Sequence, residues 1–227
     1  MSRIKKYLSL IKFSHTIFAM PFAIIGFFLG FQVFQKVYQG DFLLTDMTYL
    51  ETFQVLFKEK WLTLILVILC MIFARSAAMA FNRDLDRSFD AQNPRTAVRE
   101  IPAGLLKAER VLWFTILNSL LFVVCTYFIN PICFYLSPVA LAVVLGYSYT
   151  KRFTPLCHLV LGLGLSLAPI GAYLAVTGRF DLLPILFSFS VIFWVSGFDI
   201  IYALQDEEFD RTNDLYSIPS VLGKRKA

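Results

Sequence analysis

Apolar residues run through this chain in six long blocks separated by short polar stretches. The blocks lie near Thr16–Phe34, Trp61–Phe81, Val111–Ile129, Pro131–Tyr149, Leu156–Val176 and Leu182–Leu204. Each is close to the roughly 20 residues that a helix needs to cross a hydrocarbon core about 30 Å thick. Backbone groups in lipid find no water, so a spanning segment must satisfy them internally, as a helix does. The pattern therefore predicts an all-α, multi-helix transmembrane bundle. Composition argues the same way: 58% of residues are hydrophobic and 16% charged, too little polar surface to coat a soluble globule. The first block follows Arg3, Lys5, Lys6 and Lys12 and so has the outline of a secretion signal. It is longer than a usual signal core and no small-residue cleavage site follows Phe34, so it reads as a retained first helix.

Charge predicts the orientation. With loops assigned to alternating sides, four Lys or Arg precede the first block and six lie between Asn82 and Arg110. Lys151 and Arg152 join them, as do four from Arg211 onward, making sixteen on one side. The other side holds Lys36, Lys58, Lys60 and Arg179. The positive-inside rule then puts the N-terminus, both large polar loops and the C-terminus in the cytoplasm of a cell with the chain in its inner (plasma) membrane. The net charge of +5 follows from that asymmetry and calls for no nucleic-acid partner. No obligate protein partner is evident. Cys70, Cys125, Cys133 and Cys157 lie in or beside apolar blocks with no CxxC pair, which reads as reduced, buried thiols and neither a disulfide framework nor a zinc site.

The chemistry gathers at two acidic stretches. In the first, Asn82, Asp86 and Asp90 recur every four residues, so they share one face if the preceding helix continues. Like charges on successive turns repel, and hard oxygen donors with room for water and phosphate suit Mg²⁺. The second stretch repeats the spacing with Asp206 and Asp210, and Asp199 lies about two turns earlier, inside an apolar block. An ionisable residue there is a functional hypothesis by default. Asp206 and Asp210 stand 120 residues after Asp86 and Asp90, and Ile101-Pro102 is echoed by Ile218-Pro219. The chain reads as one domain over residues 1–227, with repeat-like halves of about 1–110 and 111–227. An acidic run after a helix is most often only a solvated face, but two runs with one spacing on one side argue for a shared pocket. Arg95, Arg99, Lys151 and Arg152 lie near these runs, and guanidinium groups suit phosphate and carboxylate. Arg75 lies within the second block, where it needs a counter-charge that the acidic pocket is expected to supply. Phosphate-loop, dinucleotide and HExxH motifs are missing from the sequence.

These motifs resemble those of the UbiA family of membrane prenyltransferases, close to its 4-hydroxybenzoate polyprenyltransferases. The family's NDxxDxxxD motif is matched by Asn82, Asp86 and Asp90, with Arg83 in place of its second-position Asp and Asp84 beside it. The following N-x-R-T-x-x-R-x-x-P-x-G is met by Asn93, Arg95, Thr96, Arg99, Pro102 and Gly104. Asp199, Tyr202, Ala203, Asp206 and Asp210 complete DxxYAxxDxxxD, and Lys151-Arg152-Phe153-Thr154 matches an intervening motif. Arg75 stands where the family has an arginine seven residues before its Asn.

The resemblance implies a UbiA-type fold of about nine helices, of which six are expected here. On that comparison the chain reads as a C-terminally truncated member with little or no transferase activity of its own. It also implies transfer of a polyprenyl group from a prenyl diphosphate to a small aromatic acid, 4-hydroxybenzoate or similar, in quinone biosynthesis. Asn82, Asp86 and Asp90 would hold one Mg²⁺, and Asp206 and Asp210 a second or the leaving ring proton. Asp199 and Tyr202 join them in the catalytic set. Arg75, Arg95, Arg99, Tyr149, Lys151 and Arg152 would bind substrate. The stretches Ile11–Pro21 and Gln205–Asp210 look like members that use a naphthoate acceptor in menaquinone pathways. His15 reads first as a helix-end histidine with no special role and second as a contact to that acceptor. A membrane cation transporter is the reading from another class. It would place carboxylates at mid-depth in several helices, whereas here they sit at helix ends beside arginines.

Overall fold

The computed structural model describes residues 3–38 and 49–227. Among these residues there is no strand, and six helices are long and apolar enough to cross a membrane. In order, the helices are α1 (Arg3–Leu10), α2 (Phe13–Tyr38), α3 (Tyr49–Val55), α4 (Trp61–Leu85), α5 (Arg87–Gln92), α6 (Ala108–Ile129), α7 (Pro131–Thr150), α8 (Cys157–Thr177), α9 (Leu182–Ala203), α10 (Glu207–Thr212) and α11 (Ile218–Leu222).

The expected blocks correspond to α2, α4, α6, α7, α8 and α9, with one correction. The second span does not begin at Trp61. A π-helical turn, Leu56–Lys60, joins α3 to α4, and the apolar span covers Phe53–Leu85. Lys58 and Lys60 are therefore helical. The Lys60 ammonium lies 4.3 Å above the Phe34 ring and donates to the Val176 carbonyl at 3.3 Å, satisfying a terminal acceptor of α8.

Helix α8 is the hub of the bundle, packed on α2, α7 and α9, while α4 packs on α2, α6 and α7. Small residues allow the approach. A Cβ on Gly26 would stand 2.1 Å from the Pro169 carbonyl oxygen, and one on Gly162 would stand 2.6 Å from the Ile192 carbonyl oxygen. Close contact of this kind supplies cohesion where lipid removes the hydrophobic drive between helices. Around the first contact, Ala23, Phe27 and Phe31 of α2 bury against Val67, Ala172, Ala175 and Val176. Between α8 and α9, Ser188 Oγ donates to the Ser166 carbonyl at 2.9 Å and Ser196 Oγ to the His158 carbonyl at 3.0 Å. The outward faces stay apolar and exposed, including Phe193, Trp194 and Phe198 of α9, as a lipid-facing surface requires.

Candidate functional site

Helices α4 and α9 end in the same way at one end of the bundle. Each stops one to three residues before an aspartate in the bridge region, and a six-residue helix follows. Asp86 has φ −90° and ψ 4°, and Asp206 has φ −110° and ψ 7°. The expected uninterrupted helical face is thus a corner in both places. The backbone bonds Asp90 N to Asp86 O and Asp210 N to Asp206 O, both 2.8 Å, keep the i, i+4 relation across each corner. Position 104 adopts φ +71°, a conformation that suits glycine, and helps the 93–107 loop fold back beside α4. Leu106 buries there with Leu10, Ala80 and Val111.

These corners face a polar cavity of about 260 Å³. Asn82, Asp86, Asp90, Asp199, Tyr202, Asp206 and Asp210 line it together with Arg83, Arg95, Arg99 and Lys151. The acidic residues do not stand as a bare, mutually repelling face, because most are neutralised inside the fold. Asp86, with its side chain 4% exposed, receives Lys151 Nζ at 2.6 Å and Arg152 Nη2 at 3.1 Å, and Asn82 Nδ2 donates to it at 3.2 Å. Asp90 pairs with Arg99 Nη1 at 2.5 Å, and Arg83 Nη1 lies 4.0 Å away. Asp206 is gripped by two guanidinium nitrogens of Arg95, Nε at 3.0 Å and Nη2 on the other oxygen, while Asn93 Nδ2 donates at 3.1 Å. Arg95 Nη1 also donates to the Tyr202 hydroxyl at 3.0 Å. Such two-pronged pairs hold both partners in fixed orientation. Among the described residues Asp210 has no ion-pair partner. Burial pushes its carboxyl above the ordinary aspartate range, against hydrogen bonding by Ser217 and the charge of Lys151.

A second cavity of about 200 Å³ lies alongside and is almost wholly apolar, lined by Val67, Met71, Phe122, Leu136, Ala168 and others. Tyr147 and Leu161 line both cavities.

Three expected substrate-binding residues lie elsewhere. Arg75 lines the apolar cavity and not the acidic one, and its buried Nε has no hydrogen-bond partner; the expected carboxylate counter-charge is not beside it. Tyr149 turns outward, 46% exposed, against the Phe81 ring and beneath the Arg152 guanidinium. Arg152 reaches Asp86 and the Leu85 carbonyl from behind and does not line the cavity. The side chain of His15 lies outside the described residues.

The residues that sequence reasoning missed are Tyr147, Asn93 and His158. Tyr147 precedes Lys151 by one helical turn, which places both on the inner face. His158 is an ionisable group at the start of an apolar span, the same signal that marked Asp199. Its Nδ1 lies 2.7 Å from Asp199.

Among the described residues no three His, Cys, Asp or Glu side chains converge as a closed metal cage. Mg²⁺ does not need one. It is commonly held by one or two carboxylates, with phosphate oxygens and water completing the octahedron. Asp90 Oδ2 is buried with no donor, and half-buried Asp210 has no ion-pair partner among the described residues, so the oxygen set fits such an ion.

Comparison with known proteins completes the description. The sequence profile of the UbiA prenyltransferase family matches residues 55–227. A 4-hydroxybenzoate octaprenyltransferase of Tolumonas auensis is 36% identical over 149 residues, 65% of this chain and 52% of that protein. The enzyme of that name from Francisella tularensis subsp. novicida is 28% identical over 162 residues, 71% of this chain and 57% of its own. The matches thus span about half the length of these relatives. Among solved structures, the apo UbiA homologue from Aeropyrum pernix K1 superposes with a TM-score of 0.76 at 31% identity, covering 93% of this chain and 71% of that one. A UbiA homologue from Archaeoglobus fulgidus bound to DMAPP and Mg²⁺ shares the fold, with a TM-score of 0.70 at 19% identity, covering 97% and 70%.

Proposed function

The chain belongs to the UbiA prenyltransferase family and is an integral membrane protein, and we propose that it transfers a prenyl group from a prenyl diphosphate to a small aromatic acid such as 4-hydroxybenzoate. This stands in place of the little or no activity expected from its helix number, because the described residues assemble both the polar and the apolar cavity. One observation carries this reading: a polar cavity lined by carboxylates and cations meets an apolar cavity at Tyr147 and Leu161. That is the shape and polarity of a diphosphate joined to an isoprenoid chain. The charge asymmetry of the loops favours a cytoplasmic position for the polar cavity.

Asn82, Asp86, Asp90, Asp206 and Asp210 would hold Mg²⁺, which when bound neutralises diphosphate charge and eases its departure. A UbiA homologue from A. fulgidus is bound to DMAPP and Mg²⁺, which supports Mg²⁺ and a prenyl diphosphate as the ligands of this cavity. The chain's own residues do the rest. Arg95, Arg99 and Lys151, now spent on aspartates, can turn to diphosphate oxygens as the carboxylates take the metal, while Arg152 holds Asp86 from outside the cavity. Fixed cations aimed at the leaving group lower the barrier to breaking the allylic C–O bond. The apolar cavity excludes water from the allylic cation, so the electron-rich ring is its only nucleophile. Arg75 projects a cation into that cavity, where an aromatic carboxylate would partner it.

A cation transporter would need carboxylates open to a path through the bundle. Here they cluster at one end, bound to arginine and lysine. The test is to incubate membranes carrying the protein with a labelled prenyl diphosphate and a panel holding 4-hydroxybenzoate and a naphthoate acid. The account expects a labelled prenylated acid that disappears on chelation of Mg²⁺. Product on the naphthoate alone would move the acceptor assignment, and no product on any acceptor in membranes that bind the diphosphate would overturn the reading.

A further inference from the structure

We infer that Asp199 takes the ring proton released in prenyl transfer, and that His158 is the positioning residue that aims its carboxylate; this rests on the benzoate-type reaction proposed above. His158 sits at the start of α8 with 2% of its surface exposed. Its two ring nitrogens have different partners. Nε2 faces the backbone N–H of Ile218 at 3.2 Å, and Nδ1 faces Asp199 Oδ2 at 2.7 Å. A backbone N–H can only donate, so Nε2 must offer a lone pair and the ring proton resides on Nδ1. His158 therefore donates to Asp199 as a neutral imidazole. The Ser196 hydroxyl on the His158 carbonyl and the helix capped by Ser217 on its far side fix the ring from both ends.

Depth selects Asp199 among the carboxylates. It lies four residues before the end of α9, roughly 6 Å inside the helix, whereas Asp206 stands at the corner beyond that end. It lines the polar cavity with Tyr147 and Leu161, the two residues shared with the apolar cavity. A prenyl diphosphate with its head at the helix corners and its chain in the apolar cavity places its first carbon at this junction, so the attacked ring lies there too. Asp86, Asp90 and Asp206 are each bound by arginine or lysine, so they are already engaged by cations. Asp199 holds only a neutral donor, and its side chain is 33% exposed to the cavity.

The step balances. The allylic C–O bond breaks with its electron pair leaving on the diphosphate, and a ring carbon bonds to the allylic carbon. The proton on that ring carbon passes to the free oxygen of Asp199, and the C–H pair restores aromaticity. Nδ1–H keeps Oδ2 in place throughout, and the proton leaves through the polar cavity.

Two substitutions separate the contacts of His158. Asparagine puts its amide nitrogen near the Nδ1 position and keeps the bond to Asp199. Glutamine reaches the Nε2 position and keeps the bond to Ile218. Steady-state transfer to 4-hydroxybenzoate, with and without ring deuterium, should show H158N within about 3-fold of wild type. H158Q should lose roughly 10- to 100-fold in kcat with KM for the diphosphate unchanged. Asp199→Asn should lose about 10²-fold or more, and a primary deuterium effect should emerge or grow in H158Q. Equal losses in H158N and H158Q would reduce the histidine to a structural tie. An active wild type with no deuterium effect in any variant, or an Asp199→Asn protein of near-normal kcat, would overturn the proton assignment while leaving prenyl transfer intact. A wild type that prenylates nothing fails the parent reading instead.

Discussion

The two acidic corners share a spacing, a backbone turn and a cavity, yet they are neutralised to different degrees. At the first, Asp86 has two cations and Asp90 has Arg99 at hydrogen-bond distance with Arg83 behind it. At the second, Asp206 has one bidentate arginine, and Asp210 is half-buried with no ion pair among the described residues. A buried charge is tolerated when paired and is costly when alone. The first corner is therefore the more fully neutralised, with one Asp90 oxygen still open. The second has the larger need of a cation, and the Mg²⁺ of a bound diphosphate would supply it.

The largest effect expected from this contrast is on turnover. Asp86→Asn and Asp206→Asn should each lower prenyl transfer by roughly 10²–10³-fold or more, because each removes a charged ligand from one diphosphate clamp. Both proteins should still be found in membranes. Wild-type-like rates in either variant would remove that aspartate from the site.

Stability without Mg²⁺ should then split the corners by sign. Asp86→Asn leaves Lys151 and Arg152 without their acceptor and should cost about 1–3 kcal/mol, moderated because both cations are nearly one-third exposed. Asp210→Asn removes a half-buried charge that has no ion-pair partner among the described residues, and should be neutral or stabilising by up to about 1 kcal/mol. Thermal unfolding in detergent with a chelator measures both. Destabilisation of equal size at the two positions would erase the contrast.

A smaller effect concerns pH. Burial raises the Asp210 carboxyl, so the folded protein binds that proton more tightly than the unfolded chain does. The folded state then gains stability at acid pH and loses it as pH rises through the raised value. The wild-type protein should lose stability relative to Asp210→Asn as pH climbs from about 4 towards 7 in chelator. Parallel profiles would show that the group is not perturbed by its site. The smallest effect is at Arg83, whose charge lies 4.0 Å from Asp90. Arg83→Ala should lower the Mg²⁺ concentration needed for half-maximal diphosphate binding by about 5-fold, the effect of one screened unit charge. A rise in that concentration would mean that Arg83 binds the diphosphate itself.

How much of this was legible in sequence follows from which forces are local. The spans were readable because lipid forces each one to satisfy its own backbone. The aspartate spacing was readable because i, i+4 neighbours meet on any helix. Pairing across the bundle was not. Arg95 and Asp206 are 111 residues apart, and no spacing rule joins them. Helical phase explains the error at Tyr149. One residue turns a side chain by about 100°, so with Lys151 facing the cavity, Tyr147 faces inward and Tyr149 does not. Arg75 was read by charge alone, which favoured the carboxylates, whereas its position on α4 places it a turn or two deeper, in the apolar cavity.

The central claim is that both corners grip a single ligand. Equilibrium binding of geranyl diphosphate to the purified chain, with and without Mg²⁺, tests it most directly in wild type, Asp86→Asn, Asp206→Asn and the double variant. Wild type should bind in a Mg²⁺-dependent way, either single variant should lose that binding, and the double should lose little more, since one clamp cannot be broken twice. Mg²⁺-dependent binding that survives in one single variant, or losses that simply add, would contradict it.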